Sequence, residues 1–116
     1  MSNTPVHYRI PLGFLEHFVT KTEFDYAVRF HGGVLPFVLA LEAASLNLPF
    51  QRSEEAIQNC AATPNINFEQ ATKKVFELFV PTFKDWFVQR WNLSKTPING
   101  AVLDSNGAEA SLLISY

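Results

Sequence analysis

The spacing of apolar residues changes period along the chain, and each period predicts an element. Val6, Tyr8 and Ile10 alternate with His7 and Arg9, which predicts a short strand over residues 6–10. Residues 1–5 ahead of it read as a loose N-terminal end. Pro11 stops the strand and suits the first turn of a helix over 12–20, with Leu12, Leu15, Phe18 and Val19 as its apolar stripe. Thr22-Glu23-Phe24-Asp25 resembles a helix-capping arrangement. The helix after it carries Phe24, Ala27, Val28 and His31 at i, i+3, i+4 and i+7, and Gly32-Gly33 ends it.

Residues 34–46 are apolar nearly all round, with Pro36 tolerated in the first turn and Glu42 as the single charge. Such a helix is buried on most sides, so it is the expected centre of the fold. Asn47-Leu48-Pro49 breaks it. Ser53 caps a short helix that stops near Ala62, ahead of Pro64. Asn67 caps a long segment reaching Trp91, and Asn92 to Asn99 reads as a loop.

The long segment is the most unusual part of the chain. On a helical projection, Phe76, Phe79, Val80, Phe83, Phe87 and Trp91 fall within an arc of roughly 120°. Trp86 and Val75 widen the arc to roughly 160°. Arg90 falls inside it near the end, where a long side chain can snorkel to water. Pro81 lies among the polar residues, so a helix continuous across it, with a kink, is favoured over two helices meeting there. Six aromatic rings carry on the order of 1,000 Å² of apolar-rich surface. That quantity raises the expectation that part of it meets a partner.

The C-terminal segment GAVLDSNGAEASLLISY contains Asn106-Gly107, a strong hairpin signal over 101–116. A two-residue turn there pairs Asp104 with Glu109, Leu103 with Ala110 and Ala101 with Leu112. This register sorts Ala101, Leu103, Ala110, Leu112, Ile114 and Tyr116 onto one apolar face. It also sets two acids opposite each other, which repel. The second arm outruns the first, so residues 113–116 need another partner, either strand 6–10 of the same chain or that of a neighbour.

Together these elements predict an α+β fold dominated by four to five helices around the 34–46 helix. A small antiparallel sheet from strand 6–10 and the hairpin 101–116 completes it. At 116 residues the chain is one compact domain. Composition then narrows function. Net charge is −2, and acids interrupt the densest basic group (Lys73, Lys74, Lys84, Arg90), so a nucleic-acid partner is not expected. The longest apolar run, residues 33–41, is too short to span a bilayer, and the N-terminus lacks the pattern of a signal peptide. The expectation is a cytoplasmic protein with no membrane partner.

Candidate chemistry is sparse. Cys60 is the single cysteine, and His7, His17 and His31 stand in no metal-ligand spacing. No phosphate-binding glycine loop or nucleophile elbow is present. No catalytic residue, cofactor or metal is therefore expected, and the reading leans against an enzyme. It favours a small protein-interaction module, such as an adaptor, inhibitor or immunity-type partner, and a homodimer. The candidate partner-binding residues are Phe79, Trp86, Phe87, Arg90 and Trp91. A second reading is a self-assembling structural or accessory subunit, of a viral or phage assembly for example, with Val6, Tyr8, Leu113, Ile114 and Tyr116 as oligomer arms. A third is a small-molecule binder or enzyme with an aromatic pocket between helices.

Overall fold

The computed structural model describes residues 7–104 and 110–115. Strand β1 (His7–Pro11) leads through a 3-10 helix (Gly13–His17) into α1 (Lys21–His31), α2 (Val34–Ser45), α3 (Glu54–Ala61) and α4 (Phe68–Ser94), followed by β2 (Gly100–Asp104) and β3 (Ser111–Ser115). The architecture is α+β and helix-dominated: four α-helices and a three-stranded antiparallel sheet in the order β1-β3-β2.

Local hydrogen bonding explains where the helices begin and end. Thr20 caps α1: its Oγ1 accepts from the Glu23 N–H at 3.0 Å, and the Thr20 N–H donates to Glu23 Oε1 at 2.9 Å. This reciprocal box starts two residues before the Thr22–Asp25 arrangement expected from the sequence, because glutamate reaches back to the cap where the shorter aspartate does not. At the other end Gly32 takes a left-handed φ of 95°, and the N–H groups of Gly32 and Gly33 close onto Arg29 and Val28. The turn sends α2 off at 85° to α1. Asn47, at φ 57°, closes α2 in the same manner, with the Leu48 N–H donating to the Ala43 carbonyl at 2.8 Å. Ser53 and Asn67 cap α3 and α4, as the sequence indicated.

Two expectations about the N-terminal third are corrected. Residues 12–20 do not form an α-helix; only the 3-10 helix Gly13–His17 forms. Pro11 continues the strand, the Leu12 N–H is taken by the sheet and Thr20 already caps α1, so the stretch is pinned at both ends, and Gly13 is a further cost to α-helix. Leu12, Leu15 and Val19 are still buried, while Phe18 is left 62% exposed. Pro11 fits β1 because β1 is an edge strand. The Leu12 N–H donates to the Ala110 carbonyl at 2.9 Å, which sets the ladder bonds at alternate residues and turns the position of Pro11's missing N–H to the open side.

The hairpin register also differs from the expected one. β2 and β3 pair Leu103 with Leu112, Ala101 with Ile114 and Asp104 with Ser111, a slip of two residues. A two-residue slip preserves which side chains share a face, so the apolar sorting survives. The slip removes the acid–acid pair and leaves β3 paired along its whole length. Asp104 instead meets Arg9, whose Nη1 donates to Oδ2 at 2.9 Å across the outer face of the sheet. The Asn106-Gly107 turn, Glu109, Val6 and Tyr116 lie outside the described residues. β1 fills the other side of β3 within the same chain, pairing Tyr8 with Ile114 and Ile10 with Leu112.

The helix α4 runs uninterrupted through Pro81 for 27 residues, three beyond the expected end at Trp91. Pro81 and Glu77 are both exposed, so water reaches the Glu77 carbonyl whose helical donor the proline removes. Inside, α2 lies at the centre as expected, with Phe37, Val38 and Leu41 fully buried. Phe79 of α4 touches the rings of Phe14, Phe24, Phe37 and Phe83 at centroid distances of 6.0, 6.3, 5.8 and 5.0 Å. Leu112 and Ile114 supply the apolar side of the sheet. Phe79→Ala should cost about 3–5 kcal/mol, and Phe83→Ala clearly less, because Phe83 is only half-buried. Urea unfolding midpoints of the two variants test the order.

Candidate interaction surface on the long helix

The charges inside apolar helices decide how α4 is used. Glu42 is the lone charge of α2, and Arg90 sits in the apolar arc of α4. Each needs a buried partner, because an unpaired charge in a core is prohibitive. They find each other: Arg90 Nη2 donates to Glu42 Oε2, and Arg90 Nη1 donates to the Thr96 carbonyl at 2.6 Å. The side chains are 3% and 12% exposed. The clamp joins α2, the end of α4 and the segment leading into β2. Arg90 therefore does not snorkel to water as expected; its guanidinium is held inside by the carboxylate.

The other residues singled out on α4 divide by depth. Phe79 and Phe87 are each 1% exposed and serve the chain's own core. With Arg90 they present no free surface for a partner in this conformation. Trp86 and Trp91 are half-buried. Trp86 stands edge-on to Tyr8 of β1 at 5.3 Å and to Phe87 at 5.0 Å, which fastens the sheet to α4. The Lys95 ammonium lies 5.8 Å from the Trp91 ring. Of the residues expected to act as arms, Tyr8, Leu113 and Ile114 belong to the intramolecular sheet, and Ile114 is fully buried.

The buried part of α4 is centred on Val75 and Phe79, so its apolar arc is not symmetric about the core. Phe76, Val80 and Phe83 lie on its flank and remain half-exposed. With Phe30 of α1 and the ring of Pro81, Phe76 and Val80 form the floor of a wide, shallow groove of about 660 Å³. Glu69, Lys73 and Glu77 follow one another along it at four-residue steps. The groove was not legible as a site, since Phe30 and Val80 look like ordinary stripe residues. Its one signal was an arc of apolar residues wider than a single neighbour covers. A second cleft, about 260 Å³, lies among Leu12, Leu15, Val19, Phe24 and Leu103, with Lys21 and Asp25 at its rim.

Beside the groove, His31 is buried within an aromatic cage. Its ring stacks on Phe76 at 5.3 Å and 14°, and meets Phe50 and Phe30 edge-on. Its Nδ1 lies 3.2 Å from the Ala27 carbonyl. Burial pulls the imidazole pKa below 6.5 and the Arg52 charge pulls the same way, against the Ala27 carbonyl, which raises it. The guanidinium of Arg52 stacks on Phe30 at 3.5 Å, and its Nε donates to the Phe30 carbonyl at 2.7 Å. This is a core histidine whose neutral form burial favours. Among the described residues, no three His, Cys, Asp or Glu side chains cluster to hold a metal. No single helix there is long and apolar enough to cross a membrane. No family model, curated protein or solved structure matches the chain.

Two expectations follow from these buried groups. Arg90→Met alone leaves a buried carboxylate and should cost about 3–5 kcal/mol, while Arg90→Met with Glu42→Leu should recover most of it. Urea unfolding of the single and double variants measures the coupling. For His31 the folded pKa lies below the unfolded one, so the unfolded chain binds more protons as pH falls through 6.5. Stability should be full above that pH and decline below it. His31→Gln should flatten this part of the stability–pH curve, read from urea midpoints at about pH 7.5 and 5.5.

Proposed function

We propose that the protein is a non-enzymatic protein-interaction module whose contact surface is the exposed flank of α4. The observation that carries this reading is the open groove floored by Phe30, Phe76, Val80 and Pro81. A concave apolar strip along a rigid helix suits the apolar face of an amphipathic helix, docked through residues at i, i+3, i+4 and i+7. The alternation of Glu69, Lys73 and Glu77 gives that guest a charge pattern to match, which favours register and partner choice over raw affinity. The surface differs from the one the helical projection suggested: Phe79, Phe87 and Arg90 support it from inside. Trp91 extends the same flank toward the C-terminal end of α4. The self-assembling reading has its own support in the strand edge of β2, which has a strand neighbour on one side only among the described residues.

A photo-crosslinking amino acid at Val80 tests the reading in the protein's own host cells. Val80 should yield a discrete heterologous adduct, lost when Lys73 is reversed to Glu. The same crosslinker at the exposed Gln58 on α3 should not give it. Equal adducts at both positions, or none at Val80, would refute the α4 surface.

A further inference from the structure

The two edges of the sheet are guarded unequally. On β1 the edge carries Arg9 and Pro11, a charge and a missing donor of the kind that discourage strand addition. β2, GAVLD, has neither lysine, arginine nor proline, and has a strand neighbour on one side only among the described residues. It also leaves apolar side chains to cover: Val102 is 58% and Leu103 37% exposed.

The ladder fixes which backbone groups face outward. Because Leu12 bonds Ala110, β3 uses its even-numbered residues for β1 and its odd-numbered residues for β2. Gly100, Val102 and Asp104 therefore face inward, opposite Ser115, Leu113 and Ser111, and the Ser115 carbonyl accepts from the Asn99 N–H at 2.7 Å. The N–H and C=O of Ala101 and Leu103 point to the open edge. This short array is its own complement under a two-fold rotation. Ala101 of one copy can exchange both bonds with Leu103 of the other, and Leu103 with Ala101, four hydrogen bonds in all.

We propose that a second copy of this chain pairs antiparallel along β2, joining two three-stranded sheets into one of six strands. The side chains select the register. With Val102 opposite its own copy, the two exposed valines cover each other on the outer face, and Leu103 packs beside the partner's Ala101 on the inner face. Asp104 falls opposite Gly100, so the two carboxylates stand at opposite ends and do not repel. Slipping the copies so that Leu103 faces itself would set Val102 against a carboxylate. Two five-residue edges bury well under the roughly 1,000 Å² of a stable interface, so the dimer is weak, in the micromolar to millimolar range. It forms on a different surface from the α4 groove and stands or falls independently of it.

Directly opposed residues of a non-hydrogen-bonded pair sit about 4.5 Å apart at Cα, within disulfide reach. In a Cys60→Ser background, Val102→Cys should oxidise to a covalent dimer under mild conditions. Ala101→Cys should not, because its opposite number is Leu103. Sedimentation equilibrium of the full chain should show reversible dimer, weakened about tenfold or more by Ala101→Pro, which deletes an outward N–H and leaves the β3 ladder its donors. If that variant fails to fold, Val102→Lys, on the outer face, takes its place. A chain that stays monomeric at millimolar concentration, or crosslinking equal at positions 101 and 102, would overturn the proposal. So would a dimer indifferent to both the proline and the lysine.

Discussion

The packing of Phe79 is the constraint on which the fold depends. Its ring meets α1 through Phe24, α2 through Phe37, the 3-10 segment through Phe14 and its own helix through Phe83. Phe37 carries the cluster on to Phe76, which stacks on His31 at the end of α1. Most of the phenylalanine excess is thus spent inside the chain, on rings set mostly edge-on or tilted, with Phe24 stacked on Phe79. The consequence for the surface is specific. With the centre of the α4 stripe committed to the core, only its flank is left to face outward, and that flank holds the groove.

The Arg90–Glu42 clamp has a different role from the rings. Dispersion and burial tolerate small rotations of one helix over another, whereas a buried carboxylate and guanidinium have one satisfactory arrangement. The pair sets the rotation of α2 against α4, and the bond to Thr96 delivers the chain into β2 at a defined place. Rotation of α4 in turn decides that Phe76 and Val80 face the groove while Val75 and Phe79 face inward. A polar contact in the interior thereby shapes an apolar surface outside.

Much of this was legible residue by residue. The caps at Ser53 and Asn67, the glycine stop at Gly32, the central α2 and the continuity of α4 through Pro81 each rest on local stereochemistry. The clamp was missed: the sequence showed a carboxylate in an apolar helix and a guanidinium in an apolar arc, but the guanidinium was expected to snorkel to water, because no local pattern says that two residues so far apart in the chain meet. Each demands a partner, and each is the partner the other lacks. The hairpin register was missed because a slip of two residues sorts the faces equally well. Arg9, distant in sequence, breaks the tie by reaching Asp104. The 3-10 segment was missed because the i, i+3 spacing of Leu12 and Leu15 fits a tighter helix as well as an α-helix.

The sequence by itself determined the kinds of most elements, the caps at Ser53 and Asn67, the stop at Gly32 and the apolar faces, since these follow from torsional preference and near-neighbour hydrogen bonds. The tertiary structure decided what those faces meet. Which part of the α4 arc is covered depends on the rotation of α4 against α1 and α2. Which strand edge stays open depends on β1 taking the other side of β3. Both are set by contacts between residues far apart in the chain, where hydrophobic pattern states only that a face must be covered and not by what.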